Sequence, residues 1–204
     1  MIQKILTIIF NSILVNSYEL LPYRNITSTD INFYGCTDIS SNLIDTTKSV
    51  MEELNGYELF KFSYIDENEY EHTRNDYNTI CNLDLDEESS SKYGYCRHYG
   101  LYFNETDIGI SNKLNGNNLY NVVLHELIHS VGLDHTIIPG IMNYSVVSTG
   151  IGYIRDNNKL WLSVDDYNGM KFTYQEIIGN KDENKDNIDK CNKNRIIKLI
   201  KQCL

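Results

Sequence analysis

The most informative pattern in this chain is a run of eleven residues that holds three histidines: His125-Glu126-Leu127-Ile128-His129-Ser130-Val131-Gly132-Leu133-Asp134-His135. A helix has about 3.6 residues per turn, so positions four apart stack on one face. His125 and His129 can therefore present their imidazoles to one ion. Glu126 follows His125 directly and is placed to reach a water bound to that ion without ligating the ion itself.

Gly132 explains how a third histidine could join the first two. Glycine permits the positive φ that ends a helix and reverses the chain, and this reversal is predicted to return His135 to the ion. Three neutral nitrogen ligands leave the fourth tetrahedral position open for water, which is typical of catalytic zinc. Three of the five histidines fall in this run. The alternative, surface histidines on an amphipathic helix, would not also require Glu126 and Gly132.

The composition limits the classes of protein that need to be considered. The chain has 204 residues, of which 41% are hydrophobic and 23% charged, and this excludes a wholly disordered or fibrous protein. Its length is that of one domain with a small appendage. The 28 acidic and 18 basic residues give a formal net charge of -10. Nucleic acids and anionic membranes bind clustered Lys and Arg, so we expect neither as a partner.

The N-terminus reads as an export signal. One positive charge at Lys4 precedes an apolar run from Ile5 to Val15, and Ser17 offers a small residue for cleavage. A membrane span needs about 20 apolar residues, so we expect no transmembrane anchor. The alternative is a buried amphipathic segment. The predicted organisation is a signal peptide over 1–17, a catalytic domain over 18–175 and a polar tail over 176–204, in a secreted, extracellular protein.

Periodicity and turn signals predict a mixed α/β chain. One helix is expected over residues 40–55, with five positions on its buried face: Leu43, Thr47, Val50, Met51 and Leu54. Strands are expected over 59–65 and 79–85, and two more within 93–110. A second helix is expected over 118–131 and a third over 163–174. The third helix begins with Ser163 and, three residues later, Asp166, which is a capping-box pattern.

Five cysteines are interpretable if the chain is exported, because pairs form in an oxidising compartment and an odd count leaves one over. We favour Cys81–Cys96, which would close an acidic loop, and Cys191–Cys203, which would staple the tail. Connectivity cannot be deduced from sequence alone, so other pairings stay open. Cys36 is expected to be a disulfide partner or a buried thiol.

Several segments resemble the metzincin clan of zinc endopeptidases, and within it the matrixins. The likeness is close over residues 118–174, extends by strand order to about residue 20, and is absent beyond about residue 176. The approach to the histidine helix carries part of it, in Asn118-Leu119-Tyr120-Asn121-Val122-Val123-Leu124, and so do Leu133 and Thr136 on either side of the third histidine. A Met-turn is matched by Ile141-Met142. The start of the C-terminal helix is matched by Leu162-Ser163-Val164-Asp165-Asp166-Tyr167-Asn168-Gly169-Met170.

The resemblance implies a metzincin fold of the α/β (α+β) class. This fold has a twisted, mostly parallel five-stranded sheet with an antiparallel edge strand, three helices, and a zinc cleft between an upper and a lower subdomain. It also implies one catalytic Zn²⁺ held by His125, His129 and His135, above a floor that includes Met142. Peptide-bond hydrolysis with Glu126 as general base follows, on a peptide bound as an extended strand beside Gly94–Cys96.

Two departures from the matrixin pattern concern the zinc site. The turn reads Met142-Asn143-Tyr144, and a tyrosine two residues after the methionine resembles astacins and serralysins, where it ligates zinc or steadies the oxyanion. Tyr144 is therefore a candidate transition-state stabiliser, or else a residue of the specificity-pocket wall. Matrixins also carry a structural zinc bound by three histidines and an aspartate. Only His72 and His98 remain for it here, and both are interpreted as surface residues.

The remaining expectations concern calcium, latency and function class. An acidic cluster offers hard oxygen ligands for Ca²⁺, or is a solvated loop that needs no ion: Asp84, Asp86, Glu87 and Glu88. Cys36 lacks the Pro-Arg-Cys-Gly context of matrixin zymogens, so no prodomain is inferred.

We expect a monomer. Two other functions stay open, namely a catalytically inactive binding protein on a metzincin scaffold and a zinc hydrolase of substrates other than peptides.

Overall fold

Both helices and strands occur in the part of the chain that the structure, a computed structural model, describes. That part comprises residues 18, 20–21, 28–66, 78–83, 93–99, 105–136, 140–143, 154–155, 159–160 and 162–179. The elements in chain order are β1 Asp30–Gly35, α1 Ser41–Asn55, β2 Lys61–Ile65, β3 Asn78–Leu83, β4 Gly94–Tyr99, β5 Glu105–Ser111, α2 Gly116–His129, β6 Ile154–Arg155, β7 Lys159–Leu160 and α3 over residues 164–179.

Strands β1 to β5 form one sheet in the order β2-β1-β3-β5-β4. The pairs β1–β2, β1–β3 and β3–β5 are parallel, and β4 alone runs antiparallel, against β5. The short strands β6 and β7 form a separate antiparallel pair. The predicted fold class is therefore confirmed, with three helices and a mostly parallel five-stranded sheet in the ranges that the structure describes. In the described part of the chain, the antiparallel strand β4 lies at the edge of this sheet.

Helix α1 forms where the pattern predicts it. Ser40 is the N-cap, and its hydroxyl accepts a hydrogen bond from the Leu43 backbone N–H at 3.3 Å. The buried side chains are the five predicted ones, Leu43, Thr47, Val50, Met51 and Leu54. These five side chains lie on one face of α1, which packs on the sheet and on α2. The apolar core therefore lies between the sheet and its helices.

Helix α2 is buried on every side. All residues from Leu119 to His129 are buried, including the polar side chains of Asn121, His125, Glu126 and His129. Such a helix is expected in the centre of a fold and not on its surface. Burying polar groups costs free energy unless they have partners. The buried polar side chains of α2 therefore indicate where a functional site lies.

The predicted Cys81–Cys96 disulfide is wrong, whereas the expectation that Cys36 is a disulfide partner is confirmed. Cys36 is bonded to Cys81, with a Cα–Cα distance of 5.1 Å, and Cys96 is a free thiol. Sheet register explains the difference. Cys81 pairs with Gly109 on β5, whereas Cys96 pairs with Ile108. Adjacent positions of a strand face opposite sides of the sheet, so the Cys81 and Cys96 side chains point apart.

Strand β1 and the β6–β7 pair were not predicted. The signal for β1 was present, because Ile31 and Phe33 are buried and alternate with exposed or half-exposed neighbours. Other predictions fall outside the described residues: the signal peptide over 1–17, the acidic cluster over 84–88, His72, Tyr144, and Cys191 with Cys203. In the ranges that the structure does describe, no helix has the length and apolar character to cross a membrane.

Candidate metal centre

Three imidazoles meet at one point beside α2. The Nε2 atoms of His125 and His129 are 3.0 Å apart, and the Nε2 atom of His135 lies 3.1 Å and 3.3 Å from them. A tetrahedral zinc with Zn–N bonds of about 2.0–2.1 Å places its nitrogen ligands roughly 3.3–3.4 Å from one another. The three separations lie within about 0.4 Å of that spacing. Among the described residues, these three form the one group of at least three side chains able to hold a metal ion.

The hydrogen bonds of two ring Nδ1 atoms indicate that the Nε2 atoms are free to act as ligands. His125 Nδ1 lies 2.6 Å from the Ile141 carbonyl oxygen, and His129 Nδ1 lies 2.7 Å from that of Leu133. A carbonyl only accepts, so each Nδ1 carries the proton and each Nε2 presents a lone pair. Lone pairs that face one another repel, and a cation between them removes the repulsion. The donor set therefore fits a zinc ion.

Burial keeps the ligand set uncharged. Desolvation lowers the pKa of His125 well below the usual histidine value, and the neighbouring His129 adds to this. Desolvation also lowers the pKa of His129 to about 4, although its hydrogen bond to Leu133 opposes the shift. The pKa of His135 is lowered by burial as well, against the opposing effect of Asp134. Neutral imidazole is the form that binds metal, so these rings are ready to bind at neutral pH.

The turn after α2 brings the third histidine to the other two. Gly132 has φ +88°, as the sequence predicts, and its N–H donates to the His129 carbonyl at 2.9 Å. Asp134 then orients His135: its carboxylate accepts from the His135 backbone N–H at 2.7 Å and lies 3.6 Å from the ring Nδ1. The chain reverses within the six residues from His129 to Asp134.

Glu126 follows His125 on α2 and is buried as well. Its side chain is 6% exposed, and desolvation raises its pKa to about 8. A cation nearby favours the ionised carboxylate, which opposes this shift. Strand β4 passes close to this carboxylate because Gly94 has no side chain: a Cβ there would lie 3.0 Å from Glu126 Oε1 and 2.8 Å from Val122 Cγ1.

The residues predicted to form a Met-turn are buried and are tied to helix α3. Ile141 and Met142 are buried, and the Met142 carbonyl accepts from the Thr136 backbone N–H at 2.9 Å. The capping box predicted at the start of α3 is present, since the Asp166 N–H donates to Ser163 Oγ and Ser163 donates to Asp166 Oδ2. The same Oδ2 atom accepts from the Ile141 N–H at 3.1 Å. Sequence reasoning missed this last contact, which joins α3 to the peptide that orients His125.

The interpretation of His98 as a surface residue is wrong. The side chain is half-buried on β4, on the face that it shares with Cys96 and that is turned towards α2. Its Nε2 lies 3.1 Å from the His129 carbonyl oxygen, and its Nδ1 lies 3.2 Å from Thr106 Oγ1. Desolvation lowers its pKa, and the bond to His129 opposes that shift. The signal that could have found it is its place on a strand, two residues after Cys96.

A match to a known protein family agrees with this geometry. The sequence profile of the matrixin family matches residues 57–175, more than half of the chain. Among solved structures, the chain is similar to high choriolytic enzyme 1 (HCE-1), a hatching enzyme zinc-protease from Oryzias latipes (Medaka fish), with 12% identity over 76% of this chain and 94% of that chain and a TM-score of 0.46. A search of curated proteins found no match. The chain therefore belongs to the matrixin family, whose members are zinc endopeptidases.

Proposed function

We propose that this chain is a secreted zinc-dependent endopeptidase that hydrolyses peptide bonds of extracellular proteins. The observation that carries the proposal is the convergence of three Nε2 atoms within 3.0–3.3 Å of one another, beside a buried glutamate. His125, His129 and His135 hold the metal in this proposal. Export is supported by the Cys36–Cys81 disulfide, since such bonds persist in oxidising compartments.

Glu126 acts as the general base and later as the general acid. When zinc is bound, it supplies Lewis acidity, which lowers the pKa of water and polarises the carbonyl. Glu126 accepts a proton from the attacking water and returns it to the departing amine. Its burial is suited to this role, because desolvation makes a carboxylate a stronger proton acceptor. Tyr144 stays the predicted partner of the oxyanion.

The substrate binds along β4 as an added strand. This strand is the antiparallel edge of the sheet, and its outer backbone groups can form main-chain hydrogen bonds with an extended peptide. Gly94 allows β4 to pass beside the Glu126 carboxylate, so a peptide on the outer side of the strand reaches the general base. We propose that the enzyme works as a monomer on protein or peptide substrates and has no nucleic-acid partner.

The test compares Glu126→Gln with the wild type, both secreted from cells as the full chain. The amide keeps the size of the side chain but cannot accept the proton. We expect cleavage of casein or gelatin to fall by about 10²- to 10⁴-fold while one zinc per chain is retained. Glu52→Gln, at an exposed position of α1, is the matched control and keeps full activity. If Glu126→Gln cleaves at the wild-type rate, Glu126 is not the general base.

The competing possibility of an inactive binding protein makes the opposite prediction for the wild type. Such a protein would bind zinc but give no clearing on a casein or gelatin gel, with or without a chelator. An endopeptidase gives clearing that a chelator abolishes and added zinc restores. A panel of ester and amide substrates separates peptide hydrolysis from other zinc-dependent hydrolysis.

A further inference from the structure

The His98 side chain is fixed through both ring nitrogens. Its Nε2 must carry the proton, because its partner there is a carbonyl oxygen, that of His129 at 3.1 Å. Its Nδ1 therefore accepts from the Thr106 hydroxyl at 3.2 Å. The Cys96 sulfur lies 3.7 Å from the same Nε2. A half-buried ring with two directional partners has one orientation, and here that orientation points the N–H at the turn after α2.

His129 is held by partners of two different kinds. Two of them are local to its own turn: Leu133 accepts from its ring, and the Gly132 N–H donates to its carbonyl. His98 donates to that same carbonyl from 31 residues earlier in the chain, on another element. Carbonyls in the last turn of a helix lack helical partners, so a donor from outside contributes directly to the position of the helix end.

Strand β4 therefore contacts α2 at two points of the candidate site. Near one end of the strand, Gly94 lies against the Glu126 carboxylate. Near the other end, His98 bonds the backbone of His129. The first contact is close van der Waals packing, which sets a distance. The second is a hydrogen bond, which also sets the register of β4 relative to the metal-binding turn.

We propose that His98 is a positioning residue that couples the edge strand to the metal-binding turn. It touches neither the metal nor the substrate. It acts through the carbonyl of His129 and through the alignment of β4, so its loss weakens zinc binding and peptide binding together. Only the expected effect on peptide binding rests on the proposed function. The expected effect on zinc binding does not require turnover.

The test uses three substitutions in the full chain. His98→Gln keeps an N–H near the Nε2 position. His98→Leu removes both polar contacts, and His98→Asn is too short to reach His129 but stays polar, which keeps the test informative if the leucine variant does not fold. Thr79→Val is the control, because it removes a side-chain hydrogen bond of the same sheet, to Asp107, away from the metal-binding turn. Zinc affinity is measured by competition with a chromogenic chelator, and KM and kcat with a quenched peptide.

We expect zinc affinity to depend on whether residue 98 keeps an N–H that can reach the His129 carbonyl. Partners of metal ligands contribute 10- to 100-fold to metal affinity, and a partner that acts through the backbone belongs at the low end, so His98→Leu and His98→Asn should bind zinc about 10-fold more weakly. At saturating zinc, their KM should rise several-fold with a smaller change in kcat. His98→Gln and Thr79→Val should stay within about 3-fold of the wild type.

Three results would overturn the proposal. One is wild-type zinc affinity and KM in both non-donor variants. Another is a glutamine variant as weak as the leucine variant, because the N–H would then not be what matters. The third is a wild type that binds two zinc ions, of which the His98 variants lose one, which would make His98 a ligand. If the zinc affinities split as expected but no peptide is cleaved, the proposed function fails and the positioning of His129 stands.

Discussion

Replacing Asp166 with alanine is the perturbation whose cost can be worked out most fully from the structure. Asp166 is 1% exposed, and its Oδ2 accepts three hydrogen bonds: from the Ile141 N–H at 3.1 Å, from the Ser163 N–H at 3.0 Å and from the Ser163 hydroxyl at 2.7 Å. Ile141 in turn accepts the Nδ1 proton of His125. The carboxylate therefore supports both the start of α3 and the peptide that orients His125, a proposed metal ligand.

The alanine variant leaves two buried backbone N–H groups without their acceptor. Each unsatisfied donor costs about 1–3 kcal/mol. Part of this is offset, because the variant no longer buries a carboxylate whose Oδ1 has no hydrogen-bond partner in the described part of the chain. We therefore expect a net loss of about 2–4 kcal/mol in the free energy of unfolding. Asp166→Asn keeps one oxygen acceptor and should cost about 1 kcal/mol.

Urea unfolding followed by circular dichroism measures these costs, with a chelator present so that bound metal does not add to stability. Zinc titration of the same variants reports the effect on His125, and Asp166→Ala should bind zinc about 10-fold more weakly than Asp166→Asn. If Asp166→Ala unfolds at the wild-type urea concentration, or binds zinc as tightly as the wild type, the link from α3 through Ile141 to the ligand does not exist.

The same carboxyl predicts a pH dependence. Burial raises the pKa of Asp166 above its usual value of 3.8, although its hydrogen bonds oppose the shift. The folded state therefore favours the protonated form. The stability that this provides is complete below about pH 3.8 and is lost as the pH rises through the raised pKa. Relative to Asp166→Asn, the wild type should lose stability as the pH increases from about 4, and a constant difference would contradict the sign of the shift.

Three further predictions test the surroundings of the site. Gly94→Ala places a methyl group 3.0 Å from Glu126 Oε1, so β4 must move. We expect a loss of about 1–3 kcal/mol in the free energy of unfolding and a higher KM. Gly179→Ala, in open space at the end of α3, should neither lower the stability nor raise KM. Cys36→Ser opens a disulfide that spans 45 residues and should cost about 4 kcal/mol. Cys96→Ser should cost about 1 kcal/mol or less. A larger cost for Cys96→Ser than for Cys36→Ser would instead favour a Cys81–Cys96 bond. Removal of metal with a chelator should lower the melting temperature, and added zinc should restore it; a melting curve that does not respond to zinc would argue against the site.

Local patterns predicted much of the fold. The buried stripe of α1 follows from helical spacing, and the positive φ of Gly132 follows from the need to reverse the chain after His129. The capping box at Ser163 and Asp166 is also local, because its two members lie three residues apart. Each of these features depends on neighbours within about one or two helical turns, so the sequence contains nearly all that determines them.

Contacts between distant elements could not be predicted in the same way. The pairing of Cys36 with Cys81 depends on the register of β1 against β3, and a shift of one residue would turn a cysteine to the other face. The contact between His98 and His129 depends on which face of β4 meets α2. The reach of Asp166 to the Met-turn spans 25 residues. In all three cases the residue can be recognised in the sequence as a candidate. Its partner depends on how the sheet and helices pack, which the sequence pattern does not show.

The most direct test of the central claim is X-ray absorption at the zinc edge, combined with metal analysis, on the secreted full chain. The convergence of His125, His129 and His135 predicts one zinc per chain, with three imidazole nitrogens at about 2.0–2.1 Å and one oxygen from water. His135→Ala should leave a shell with two imidazoles and a much weaker affinity. A sulfur ligand, a shell with fewer than three imidazoles in the wild type, or no bound zinc would contradict the claim.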